Sequence, residues 1–145
     1  MPNHAAAVPQ FTVRRTDRPR VLVEDADLDA RRDLERRLRG EDYEVIGCCG
    51  PETLSRRRCP IEERGVCPAV AEADVVVTTL RDDTARQADV LAGIRAQHPQ
   101  LPVVVRASGP VAHRLRHLLD GCEVRSLSDD TLASLDAALE APAST

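Results

Sequence analysis

The chain contains no lysine and no tryptophan: all twenty basic residues are arginine, and Phe11 and Tyr43 are the only aromatic rings. Two rings cannot build the stacking platforms that hold single-stranded nucleic acid. A net charge of −4 argues in the same direction, so no direct nucleic-acid partner is expected. No apolar run approaches the ~20 residues that a bilayer-crossing helix needs, and no membrane role is expected. Residues 1–10 lack a positively charged segment followed by a long apolar stretch, so the cytoplasm is the expected compartment. Also missing are a glycine-rich phosphate loop, a dinucleotide fingerprint and any Ser/His/Asp arrangement. No enzyme activity and no catalytic residue is expected.

What is present fits one globular domain. The 145 residues are 42% hydrophobic and 30% charged, enough to bury a core. Residues 1–18 mix proline, histidine, alanine and arginine without periodicity and read as an N-terminal arm, leaving a domain over 19–141. Strand-like and helix-like segments then alternate. Val21–Val23 is a short apolar strand. Asp27 suits a helix cap, followed by Ala30, Leu34 and Leu38 on one stripe and Gly40 at the end. Tyr43–Cys48 is a second strand, Val75–Thr79 a buried central one, Leu101–Val105 a fourth and Glu123–Leu127 a poor fifth. Helices are expected over Thr84–Gln97, after Gly109-Pro110, and after a Ser128 or Asp129 cap. Five strands alternating with helical connections predict an α/β, doubly wound parallel sheet of order 2-1-3-4-5 in a three-layer sandwich. In such sheets ligands sit at the carboxyl ends of the strands, beside the switch point between strands 1 and 3. That rule groups Glu24, Asp25, Thr79 and Ala107 around one crevice.

Residues 47–72 break the pattern. Pro51, Pro60 and Pro68 oppose any long helix there, and Cys48, Cys49, Cys59 and Cys67 crowd into the same stretch. Three readings stay open: a zinc or iron–sulfur site, a disulfide such as Cys59–Cys67 or Cys49–Cys59, or small thiols that fill space. The short C-x₂₋₄-C spacing of zinc sites is missing. Arg56, Arg57 and Arg58 have no acid among them and are candidate contacts for a phosphate or an acidic protein. His113 and His117 are four apart, a spacing that suits metal only in company with further ligands.

Val21-Leu22-Val23-Glu24-Asp25, the later Asp42-Tyr43-Glu44-Val45 and the run Ile94 to Val105 together resemble response-regulator receiver domains over about residues 19–140. The resemblance implies a flavodoxin-like fold, in which Glu24 and Asp25 match the acids that hold Mg²⁺. It also implies that chemistry has been lost. Thr79 falls where the family has its phosphate-accepting aspartate, Ala107 where it has a hydroxyl, and Arg125 is the only cation near its lysine position. The aromatic switch of the fifth strand is missing. Two acids facing a threonine hold too little charge to gather Mg²⁺ readily, so no cofactor is expected. The resulting expectation is a degenerate receiver, a signalling module that binds a protein partner or a second copy without aspartate phosphorylation. A cysteine-based redox or metal sensor on the same fold is the alternative.

Overall fold

A computed structural model describes residues 17–51, 59–81 and 85–140. The chain runs β1 (Arg20–Glu24), α1 (Leu28–Gly40), β2 (Glu44–Cys48), α2 (Pro60–Arg64), α3 (Pro68–Ala71), β3 (Val75–Leu80), α4 (Ala85–Gln97), β4 (Val103–Ala107), α5 (Gly109–Arg114), α6 (Arg116–Leu119), β5 (Glu123–Arg125) and α7 (Thr131–Glu140). The strands form one parallel sheet of order β2-β1-β3-β4-β5, the topology expected from the alternation of elements.

The valine-rich strands β1, β3 and β4 are buried on both faces, which is why they read as continuous apolar runs rather than alternating ones. Period-two alternation then divides them between two cores. Leu22, Val76, Leu80, Val103 and Val105 pack against Ile61, Val70, Val90, Leu91, Ile94, Val111 and Leu119. On the opposite face Val21, Val23, Val75, Val77 and Val104 meet Leu34 and Leu38 of α1 and Leu135 of α7. Tyr43 closes that second core, its hydroxyl donating to Asp136 of α7.

Arg20 fastens the amino-terminal edge of the sheet. It is 3% exposed, its Nη2 lies 2.9 Å from Glu44 and its Nη1 3.6 Å from Glu72, and its backbone N–H donates to Asp74 at 2.8 Å. A buried cation costs several kcal/mol unless its donors find partners, and these three acids come from β2 and from the approach to β3.

Local chemistry sets several boundaries. Asp27 caps α1, accepting from the Ala30 N–H at 3.0 Å. The turn after Gly40 is made by Asp42, which adopts φ 65°, an uncommon but tolerated conformation for aspartate. The proline-rich stretch is less irregular than its sequence predicts. Pro60 and Pro68 sit in the first turns of α2 and α3, where a missing N–H costs nothing, so each proline starts a short helix. The helix after Gly109-Pro110 is interrupted at Leu115 and divides into α5 and α6. At the last helix the acid accepting from the first turn is Asp130, from the Leu132 N–H at 3.0 Å, rather than Ser128 or Asp129. Asp129 instead accepts from the Ser126 N–H at 3.1 Å.

Candidate functional site

Glu24 and Asp25 end β1 at the carboxyl edge of the sheet, and neighbouring residues of a strand point to opposite faces. The two acids therefore serve different surroundings. Glu24, 5% exposed, accepts a hydrogen bond from Thr78 Oγ1 at 3.1 Å, its neighbour in the β1–β3 register. Gly50 lies over it with φ 74°, so close that a Cβ there would stand 3.1 Å from Glu24 Oε1. Burial pushes the Glu24 carboxyl up to about 7; the Thr78 hydrogen bond opposes this and the charge of Asp25 adds to it. Near neutral pH this side chain is close to half protonated.

Asp25, 1% exposed, is fully engaged. Its Oδ1 accepts from the Asp27 N–H at 2.9 Å and from Arg81 Nε at 2.8 Å, and its Oδ2 accepts from Arg81 Nη2 at 2.9 Å. This is the bidentate guanidinium–carboxylate geometry, the strongest of the common ion-pair arrangements. The hydrogen bond to Asp25 raises the proton affinity of Arg81 further. Arg81 follows β3 directly, so the strand that carries Thr79 also delivers the cation.

Thr79, 1% exposed, stands beside Arg106 in the β3–β4 register, and Arg106 stands beside Arg125 in the β4–β5 register. Arg106 occupies the face on which Val104 packs in the second core, a place where a valine would be ordinary. Its Nη2 donates to the Leu127 carbonyl at 3.0 Å, and its Nε is buried without an acceptor among the described residues. Burial, aided by the nearby Arg81 and Arg37, pulls its proton affinity down, with Asp25 acting the other way. Arg125 is drawn to Glu123 at 2.5 Å. Ala107 is buried and offers no polar atom, and the neighbouring Ser108 hydroxyl accepts from the Val111 N–H at 3.4 Å as the cap of α5.

The sequence thus predicts one group of four, and the structure distributes it. Thr79 lies near the carboxyl end of β3, Ala107 at the end of β4 packs into the first core, Asp25 is in the grip of Arg81, and Glu24 is under Gly50 with Thr78. This donor set does not suit Mg²⁺. Both Asp25 oxygens already face a guanidinium and Glu24 holds a proton well into the neutral range, whereas the ion demands free oxygen ligands. Arg81 and Arg106 were not expected from the sequence. Each has a local signal: an arginine directly after, or inside, an otherwise apolar strand.

The cysteines are all free thiols, each half-buried. Cys48 accepts from the Gly50 N–H at 3.3 Å, and burial pushes its thiol up to about 12. Burial also raises Cys59 and Cys122. Thiols so placed carry little thiolate, the form that reacts or binds metal. Among the described residues no three of His, Cys, Asp and Glu gather into a metal-binding group. His113 and His117 belong to different helices, α5 and α6, and both are exposed. Arg56, Arg57 and Arg58 lie outside the described residues, as do Asp82 and Asp83.

No family model matches the chain, and no curated protein matches it. Solved structures do. A response regulator receiver domain protein from Clostridium thermocellum superposes with a TM-score of 0.63 at 17% identity, covering 83% of this chain and 94% of that one. The signal receiver domain of an HD domain-containing protein from Pseudomonas fluorescens Pf-5 gives 0.64 at 19% identity, covering 88% and 91%. The non-phosphorylated HemR receiver domain from Leptospira biflexa gives 0.60 at 20% identity, covering 86% and 97%. With the parallel 2-1-3-4-5 sheet and its helices on both faces, these matches show that the chain has the CheY-like, flavodoxin-type fold of response-regulator receiver domains.

Proposed function

We propose that this chain is a signalling module of receiver fold that acts by binding a protein partner or a second copy of itself, without aspartate phosphorylation. The observation that carries the reading is the Arg81 guanidinium on Asp25: a tethered cation takes up the carboxylate that a metal-dependent phosphotransfer would need. Three further features agree. Thr79 offers a hydroxyl, which cannot become an acyl phosphate. The chain has no lysine to steady a phosphoryl group. Glu24 keeps its proton into the neutral range and is turned to Thr78. On this reading the protein is a non-enzymatic cytoplasmic component; no helix among the described residues is long and apolar enough to cross a membrane.

A contact surface is available at the β5 edge. Val124 and Leu127 are 40% and 39% exposed, unusual for large apolar side chains so near each other in sequence. The direct test is incubation with acetyl phosphate and Mg²⁺ followed by intact-mass measurement. No phosphoryl adduct is expected; an adduct on a carboxylate of the native protein would refute the reading.

A further inference from the structure

An apolar groove lies between α2 and α4, in the helix layer over the first core. It measures ≈ 290 Å³, and Ile61, Val90, Gly93 and Ala96 are among the residues that line it. Gly93 lets the two helices approach, since a Cβ there would stand 2.9 Å from Ile61 Cγ2. The solvent side of α4 is bare as well. Ala85, Ala92 and Ala96 are exposed, where a surface helix usually carries charge. Val66, just beyond the Gly65 that ends α2, is 49% exposed, the most of any large apolar side chain among the described residues.

Two acids border this groove, and they differ. Glu62 is closed on Arg86 by hydrogen bonds of 2.6 and 2.9 Å. Asp89 is exposed, forms no ion pair among the described residues, and is the only charge on α4 between Arg86 and Arg95. An apolar cavity of about 150 Å³ admits benzene, so a phenylalanine side chain fits here with room to spare. The surface thus suits an aromatic ring with a cation a few residues away.

The chain carries that pattern itself, before its first described residue. Residues 1–16 contain Phe11, then Val13, Arg14 and Arg15, and no carboxylate. Phe11 is one of two aromatic rings, and the other, Tyr43, is already in the second core. The reach suffices. β1 begins at Arg20 on the same edge of the parallel sheet to which α4 returns through residues 98–102. Only β3 separates β1 from β4, a distance of two strand spacings of about 4.8 Å each. Residues 11–18, extended, cover up to about 26 Å, enough to cross that distance and reach the last turns of α4.

We propose that the groove between α2 and α4 is the docking site of the chain's own amino-terminal arm, with Phe11 seated against Ile61 and Ala96, and Arg14 and Arg15 turned to Asp89. The tether sets an effective concentration on the order of millimolar, so a modest contact fills the groove. A partner offering the same aromatic and basic pattern must displace the arm first. Docking of this kind is independent of whether the chain accepts phosphate.

Because the chain has no tryptophan, Phe11→Trp places a single reporter on the arm. In the folded chain its emission should lie to the blue of that in the urea-unfolded chain, with weaker quenching by acrylamide. Adding Ala96→Arg, which fills the groove with a charge of the same sign as the arm, should restore water-like emission and quenching. Adding Asp89→Asn instead should shift the docked-to-free ratio by about two- to fivefold toward free, the loss of an exposed ion pair. Residues 89 and 96 both face solvent, and circular dichroism checks that each variant folds. Water-like emission in the folded Phe11→Trp chain, or burial unchanged by Ala96→Arg, overturns the proposal. Burial that rises with protein concentration places the arm on a second copy and overturns it too. If Ala96→Arg does not fold, Asp89→Asn decides the matter, and an unchanged ratio refutes the docking.

Discussion

Replacing Glu24 with glutamine isolates a single proton. In the folded chain the Glu24 carboxyl is displaced upward to about 7, chiefly by burial, whereas in the unfolded chain it ionises near 4.5. Well below pH 4.5, folded and unfolded states both hold the proton and Glu24 is neutral in its buried site. As pH rises above 4.5 the unfolded chain releases the proton first, so the folded state binds more protons and stability must fall. The fall continues until the folded group also ionises, near 7, and then levels off. A displacement of this size corresponds to about 3 kcal/mol between the two plateaus. Glu24→Gln keeps the shape and can still accept the Thr78 hydrogen bond, but it has no proton to lose. Urea unfolding followed by circular dichroism at intervals from pH 4.5 to 8 gives both curves. The native protein should lose stability relative to Glu24→Gln across this window, and the variant should be the more stable of the two at pH 8. Parallel curves between pH 5 and 7 would refute the assignment, since they would mean that Glu24 reaches water or a compensating cation.

Two further substitutions examine the same edge of the sheet. Arg81→Gln removes the bidentate partner of Asp25 and leaves that carboxylate with the Asp27 N–H; because Arg81 is 36% exposed, a loss of about 1–3 kcal/mol is expected in urea unfolding. Added Mg²⁺ should recover part of the loss in Arg81→Gln and none in the native protein, and equal responses would show that Arg81 does not occupy the acid. Gly50→Ala meets two obstacles, a φ of 74° and a new Cβ 3.1 Å from Glu24, so a loss of about 1–2 kcal/mol is expected in the thermal midpoint, and none if the Cys48–Gly50 turn relaxes freely.

The sheet was legible because its signals are local. A β-branched run such as Val75-Val76-Val77, a cap such as Asp27 and a helical stripe of Leu34 and Leu38 each declare themselves within a few residues. Boundaries were less so: β4 runs Val103–Ala107 rather than from Leu101, because Pro102 has no N–H for the ladder. Pro60 and Pro68 do exclude a long helix from their stretch, and what the sequence does not announce is that each opens a short one from its first turn. The site resisted for a different reason. Glu24 and Asp25 look like a pair in the chain, yet one answers to Thr78, 54 residues away, and the other to Arg81, 56 residues away. No local pattern records such partners. They follow from which face each residue takes once the strands are in register.

The shortness of β5 restricts how two copies of this chain, or a copy and a partner, can meet at that edge. An added strand would find only the three residues Glu123–Arg125 to bond with. Main-chain zippering, which spreads readily and ignores sequence, has little to grip there. Any adhesion through this edge must come from the apolar side chains of Val124 and Leu127, and is therefore selective in shape and erased by a single charge.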